Sequence, residues 1–273
     1  MPENPRRPAI TPDAQALPEA GQSLRSSIFR DAGRVLIVGV IFVGVSAFIA
    51  GLFFPWRPPS SPVLTWSVAG GMAGLAVALT LWLNRLETVQ QHRLSGMQGE
   101  RSVAAHLAAL DGRTHHVFHD IPIVRGGTVV ANIDHAVIGP GGFTAIETKT
   151  WSKPAAGKAT LQLDRSSGKL LRCGRPLPDS WNDPIQQACS AAQDLAALLN
   201  ANSTSSTRTP SHAHVTFPGW WVTEATTQRD GIRCTIANPS FLVGLVHKQA
   251  AVLAPGDVKA AAAKLEAHIR RHA

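Results

Sequence analysis

The chain has 273 residues, 26 of them Lys or Arg and 18 Asp or Glu, so it carries a net charge of +8 with only 16% of positions charged. An ordinary soluble domain is about a quarter charged, yet 23 Gly and 19 Pro are too few for a low-complexity or collagen-like chain, and a hydrophobic fraction of 44% excludes disorder throughout. The three cysteines, Cys173, Cys189 and Cys234, are widely spaced without a CxxC pair, which argues against a disulfide framework or a zinc ribbon, and the basic balance favours an anionic partner, either nucleic acid or an acidic lipid surface.

Residues 1–34 open with Pro2, Pro5, Pro8, Pro12 and Pro18 among scattered charges and no apolar periodicity, the composition of a disordered tail. Val35 to Phe54 then reads VLIVGVIFVGVSAFIAGLFF, a charge-free run of about 30 Å as a helix, enough to cross the hydrocarbon core of a bilayer. A second run, Pro62 to Leu83, follows the short proline-rich turn PWRPPSS, so residues 35–84 are expected to form a transmembrane hairpin with spans at 35–54 and 62–83. A signal peptide would lie closer to the N-terminus and would not be followed by a second span. Arg25, Arg30 and Arg34 precede the hairpin and Arg85 and Arg93 follow it, whereas the turn holds only Arg57. The chain therefore reads as a multi-pass protein of the cytoplasmic (inner) membrane with both termini in the cytoplasm and the lipid bilayer as a partner. Gly70 and Gly74, with Ala78, recur every four residues, which suits helix–helix self-association; small residues are also common in membrane helices without that role.

Residues 85–94 form a polar helical connector, and a globular pattern occupies 95–273. Gly99 to Leu110 has helical spacing of Val103, Leu107 and Leu110. Three strands are expected next: His115 to Val124, then Val129 to Ile138 after the turn Gly126-Gly127, then Phe143 to Thr150 after Gly139-Pro140-Gly141-Gly142. A loop-rich stretch follows, with a hairpin around Ser166-Ser167-Gly168. Asp183 to Asn200 is a helix with proline at its start, and Ala201 to Ser211 a polar linker. Val215 to Thr223, Ile232 to Ala237 and Phe241 to His247 read as strands, and Asp257 to Arg271 as a closing helix with basic residues in its last turn. The order describes a mixed α/β domain with one core.

The chemistry concentrates on two of these strands. Asp134 lies in Asn132-Ile133-Asp134-His135, and Glu147 and Lys149 in Ile146-Glu147-Thr148-Lys149. Because side chains alternate along a strand, Glu147 and Lys149 share a face, and Asp134 on the adjacent strand can converge with them. Two carboxylates make a hard oxygen site suited to Mg²⁺, and a neighbouring lysine can orient or deprotonate an attacking water. A lone ExK would more simply be a solvated cross-strand pair.

The pattern is longer than ExK. The stretches GER, IDHAVIGPGGFTAIETKTW and DPIQQA, between about residues 96 and 200, resemble the nuclease-related domain (NERD) family, a branch of the restriction-endonuclease-like PD-(D/E)xK nucleases, with weaker likeness in HVTFPGWWVT. The resemblance implies a restriction-endonuclease-like mixed sheet flanked by helices. It also implies Mg²⁺ (or Mn²⁺) held by Asp134 and Glu147, a catalytic Lys149, and support from Glu100 and from Gln187 of the Pro184–Gln187 element, with Gln186 the less fitting glutamine. Glu100 could equally be a helix N-terminal acid favoured by the dipole, and Gln187 an exposed helix residue. His135 should point away from Asp134 into packing, and His115, His116 and His119 read as structural.

Lys153, Lys158, Arg165, Lys169, Arg172 and Arg175 cluster after the ExK strand, with Trp151 and Trp181 at the ends of the stretch. Such a set attracts phosphates and lets bases stack; Lys153, Lys158, Arg172 and Arg175 are the candidate contacts to DNA or RNA. A solvated basic loop, or one touching anionic lipid, is the plainer account. The expected activity is membrane-anchored, Mg²⁺-dependent hydrolysis of nucleic-acid phosphodiesters, with a non-catalytic nucleic-acid- or protein-binding module as the alternative.

Overall fold

The computed structural model describes residues 91–178, 181, 183–200 and 209–272, together with the single positions 39, 82 and 85. The chain divides into two compact units, one holding residues 103–273 and the other residues 21–102. Among the described residues no helix is long and apolar enough to cross a membrane; the spans expected at 35–54 and 62–83, with Gly70 and Gly74, lie outside them, as does the proline-rich tail.

Residues 91–107 are helical (α1), beginning earlier than the expected Gly99. A six-stranded mixed sheet follows, built from β1 (His116–Arg125), β2 (Thr128–Gly139), β3 (Gly142–Thr148), β7 (Ser211–Thr216), β10 (Ile232–Ala237) and β9 (Ala225–Arg229), in that spatial order. β1, β2 and β3 form an antiparallel meander, β3 to β7 and β7 to β10 are parallel, and β9 closes the edge antiparallel to β10. A second sheet, of order β6-β5-β4-β8, joins β4 (Thr160–Leu163), β5 (Leu170–Arg172), β6 (Arg175–Pro176) and β8 (Trp221–Val222).

Helices cover both faces of the large sheet. On one face, α2 (Pro184–Asn200) and α4 (Pro255–His272) pack against Phe143, Ala145, Ala213, Val215 and Ile236. The buried residues of α2, from Ile185 through Ala188, Ala192, Leu195 and Leu199, recur at three- and four-residue spacing, which makes one continuous apolar stripe. Asp183 starts this helix: its Oδ1 accepts the Ile185 N–H at 2.9 Å, and Pro184 occupies the first turn, where a missing N–H costs nothing. On the other face, Val103, Leu107 and Leu110 pack with Val137, Ile146, Leu242 and Val246.

Two expected elements change. Phe241 to His247 is not a strand but a 3₁₀ turn, Pro239–Phe241, running into the short helix α3 (Leu242–His247). Asn238 decides it, since its side chain accepts the Ser240 N–H at 3.2 Å with Pro239 next in line, and Leu242 and Val246, four apart, are both buried. The run from Val215 to Thr223 is split: β7 starts at Ser211, inside the stretch expected as linker, and a turn at residues 217–220 separates it from β8. β9, with the polar sequence ATTQR, had no apolar signal to announce it.

Candidate functional site

The β2–β3 hairpin sets the geometry. Gly139 pairs with Gly142 across the turn, so the register runs Ile138 to Phe143, Ala136 to Ala145 and His135 to Ile146. Gly142 has φ of 110°, and a Cβ there would lie 2.5 Å from the Pro210 carbonyl oxygen, so only glycine closes the hairpin in this register. One step further along the same register, Asp134 stands opposite Glu147. A slip of one residue would send Asp134 to the other face.

Asp134 Oδ2 accepts the backbone N–H of Thr148 at 2.7 Å, and Lys149 Nζ donates to Glu147 Oε1 at 2.5 Å. The Lys149 N–H in turn donates to the Thr216 carbonyl of β7, which anchors the chain just past the strand end. The Lys149 and Glu147 side chains are 24% and 12% exposed, so the pair is screened from bulk water on most sides yet open to a ligand. Asp134, in the middle of β2, thus reaches the C-terminal end of β3, where Glu147 and Lys149 pair.

Gln187 lies in the first turns of α2, the helix packed on β3 and β7, and its Oε1 is buried without a hydrogen-bond partner among the described residues. Gln186 is turned elsewhere, donating from Nε2 to Asp230 Oδ2 at 3.0 Å. Glu100 is a half-buried residue of α1 in the unit of residues 21–102. Among the described residues no group of three or more His, Cys, Asp or Glu side chains is gathered as a metal cage. Two carboxylates and a neutral amide oxygen suit Mg²⁺, which keeps much of its water and rarely takes an all-protein shell.

The histidines occupy the sheet away from this pair. His119 and His135 pair across β1 and β2 and share a hydrogen bond, Nδ1 to Nδ1, at 2.8 Å, so one ring must donate and the other accept. His115 Nδ1 shares a hydrogen bond with the Thr114 hydroxyl at 2.9 Å and meets the His247 ring edge-on. Burial, then the proximity of His119, pushes the His135 imidazolium down to about 3; burial, then His212, pushes His214 down to about 4. Both rings are neutral in the fold at pH 7, whereas an unfolded histidine protonates near 6.5. As the pH falls below about 6.5 the unfolded chain takes up protons that the native state refuses, so stability should decline steadily toward pH 4. Urea midpoints measured between about pH 7.5 and 5 should fall with an unchanged slope, ahead of the range where carboxylates titrate; a flat profile would contradict the neutral pair.

The basic stretch forms the small sheet and its loops. Lys153, Lys158, Arg165, Lys169 and Arg175 are exposed. Arg172 is different. Its guanidinium lies 5.4 Å from the Trp181 ring centroid and 5.3 Å from that of Trp220, and Nη2 donates to the Ser152 carbonyl at 2.6 Å. It braces the protein's own aromatic cluster, in which Trp151 packs against Phe217, Trp181 and Trp220 and accepts the Trp220 indole N–H on its carbonyl at 3.0 Å. Arg172, half-buried, is thus tied to the protein's own aromatic cluster, unlike the exposed cations around it.

Trp221 was not anticipated as a site residue. Trp220, in the turn before β8, is 2% exposed, whereas Trp221, the first residue of β8, is 74% exposed and its strand neighbour Val222 is buried on the opposite face. Trp221 pairs with Thr160, and its N–H donates to the Ala159 carbonyl at 2.8 Å, next to Lys158. Lys153 lies over Gly219, two residues before Trp221. The exposed Trp221 indole presents a flat apolar face on the small sheet, and its only sequence sign was the doublet Trp220-Trp221.

Residues 95–218 match the family model described as nuclease-related domain (NERD). The matched region contains Glu100, Asp134, Glu147, Lys149 and Gln187, along with the whole β1–β3 meander, and it ends after β7. It covers less than half of the chain: β8 with Trp221, β9, β10, α3 and α4 lie beyond it. The mixed sheet flanked by helices fits a nuclease-like fold. Comparison of the chain with curated proteins and with solved structures finds no match in either.

Proposed function

We propose that the chain is a membrane-anchored nuclease that hydrolyses phosphodiester bonds of nucleic acid with the aid of Mg²⁺ or Mn²⁺. The observation that carries this reading is the 2.5 Å contact of Lys149 Nζ with Glu147 Oε1, with Asp134 opposite Glu147, inside a nuclease-related domain. Asp134 and Glu147 would hold the ion, and the buried, partnerless Oε1 of Gln187 is a further hard oxygen for it or for its water. When bound, the ion supplies Lewis-acid stabilisation of charge on the phosphoryl oxygens.

The remaining roles belong to the protein. Lys149 has three donors on a flexible stem, so it can leave Glu147 to hold the attacking water or a phosphate oxygen. Glu147, once released, accepts hydrogen bonds from that water. Lys153, Lys158 and Arg175 bind backbone phosphates while Trp221 stacks on a base. The charge-free runs 35–54 and 62–83 would keep this chemistry at the cytoplasmic face of the inner membrane.

The second reading, a tethered binding module without turnover, draws support from the same ion pair, because Lys149 already neutralises Glu147 and no three-ligand cage is gathered among the described residues. Metal removal separates the two. With the full chain, cleavage of single- and double-stranded DNA and RNA should vanish in excess chelator and return on adding Mg²⁺ or Mn²⁺. Nucleic acid that is held equally with and without the ion, and never cleaved, would favour the binding module.

A further inference from the structure

The face of the large sheet opposite Glu147 holds a second polar site. Along β3, Glu147 shares a face with Phe143 and Ala145, which α2 and α4 cover, while Thr144 and Ile146 point the other way. The parallel register carries that second face across the sheet, with Thr144 beside His212 and Ile146 beside His214 on β7, then Arg233 and Thr235 on β10. Between these residues and the segment after α3 lies a cavity of about 430 Å³. This is within the range of small-ligand sites and larger than a bare inorganic ion needs.

Its floor is unusual in its hydrogen bonding. His214 is 4% exposed, and among the described residues neither Nδ1 nor Nε2 has a hydrogen-bond partner of good geometry, though the Thr235 backbone lies close enough to act on the ring. A buried imidazole with both nitrogens unmatched is costly, and such a group in a cavity floor calls for a ligand atom or an ordered water. The rim is basic, with Arg233 and Lys248 exposed on two sides and Glu224 the one carboxylate among the lining residues. Gln249 is held toward the cavity by its reciprocal hydrogen bonds with the Thr144 hydroxyl, at 2.9 and 3.3 Å. The Thr226 and Thr235 hydroxyls, 3.1 Å apart, add donors and acceptors. No Phe or Trp lines the cavity, so nothing there is built to stack on a nucleobase.

We infer that this cavity binds a small hydroxylated phosphate ester, with its phosphate between Arg233 and Lys248 and its hydroxyl end toward His214, Thr226, Thr235 and Gln249. Two cations against one carboxylate select an anion, and hydroxyl-rich walls select a polyol over an aromatic ligand. The site is separate from the proposed phosphodiesterase chemistry, since Arg233, Lys248 and His214 lie on the face away from Glu147. The charged and titratable groups facing His214 are His212 on its own strand, Arg233 on β10, Glu224 beyond β8 and Lys248 after α3. A phosphate ester brought among them would favour the imidazolium over the neutral ring.

Ribose 5-phosphate is a suitable probe, titrated calorimetrically into the purified full chain at low salt, with ribose alone and inorganic phosphate in parallel. The expected result is saturable binding of ribose 5-phosphate, weaker binding of phosphate and none of ribose. Arg233→Gln and Lys248→Gln, both substitutions of exposed residues that should fold normally, should each weaken it roughly tenfold, and Glu147→Gln should leave it unchanged. The His214 imidazole resonances should shift on binding in the parent chain. Absence of binding at millimolar probe would overturn the inference. So would binding that survives the Arg233→Gln/Lys248→Gln double substitution or is lost with Glu147→Gln, because the phosphate would then sit on the other face.

Discussion

Glu147→Gln should lower nucleic-acid cleavage by roughly a thousandfold or more, the loss typical when a charge-stabilising group is removed from a reacting phosphoryl or acyl centre. The substitution keeps the size and planarity of the side chain and removes only its negative charge. It therefore removes the charge proposed to hold the ion together with the ionic partner of Lys149, while Asp134 keeps its 2.7 Å hydrogen bond from the Thr148 N–H. The fold should survive, since Lys149 is 24% exposed and its ammonium can turn to water when the ion pair is lost. Nucleic-acid affinity should hold or rise slightly, because a negative charge has left a basic surface. The informative measurement is single-turnover cleavage at saturating Mg²⁺ beside an anisotropy measurement of binding. A variant that cuts as fast as the parent would show that Glu147 and Lys149 are no more than a cross-strand ion pair.

Arg172→Ala should instead act on stability. Its guanidinium lies against Trp181 and Trp220 and holds the Ser152 carbonyl, so truncation removes two cation–π contacts and a hydrogen bond and leaves a gap over the aromatic cluster. At about 0.5–2 kcal/mol for each cation–π contact and about 1 kcal/mol for the hydrogen bond, the expected loss is about 2–5 kcal/mol. Arg172→Lys should recover only part, because a compact ammonium cannot lie flat on one ring while reaching a carbonyl. Lys158→Ala and Arg175→Ala, at exposed positions, should change stability by less than about 0.5 kcal/mol. Each should weaken nucleic-acid binding uniformly across sequences and flatten its salt dependence by about one phosphate contact. Trp221→Ala should cost about 1–3 kcal/mol of affinity for single strands with little change in stability. Urea unfolding and salt-dependent anisotropy on the same set of proteins separate these classes; an Arg172→Ala chain of full stability and lost affinity would return Arg172 to the nucleic-acid surface.

The amino-acid sequence by itself determined whatever depends on neighbours in the chain. Alternating apolar residues and the turn Gly139-Pro140-Gly141-Gly142 specify the β2–β3 hairpin, and the hairpin register places Asp134 opposite Glu147 without help from the rest of the fold. Asp183-Pro184 and the apolar stripe after them specify α2, as the stripe from Val258 to Ile269 specifies α4. The Phe241–His247 run was ambiguous locally, since a short apolar segment suits a strand or a helix, and burial of Leu242 and Val246 against Val137 and Ile146 selected the helix. β9 needed β10: a polar five-residue strand has no periodicity of its own and exists because an open sheet edge gives its backbone groups partners.

Tertiary structure alone decided which of several similar residues does what. Arg172 and Arg175 are alike in sequence, but only Arg172 falls between two indoles, one of them 48 positions further along the chain. Trp220 and Trp221 are adjacent, and the turn before β8 buries the first in the aromatic cluster while the strand exposes the second. His214 looked like any histidine in a strand until β10 and the segment after α3 enclosed it with Arg233 and Lys248. The physical reason is common to all three: backbone preference and hydrophobic periodicity are summed over consecutive residues, whereas burial, desolvation and charge pairing depend on atoms brought near by the closing of long loops. The sequence could therefore name the strands that carry carboxylates and lysine, and the packed sheet was needed to tell an arginine packed on indoles from an exposed one and to reveal a second face with a cavity of its own.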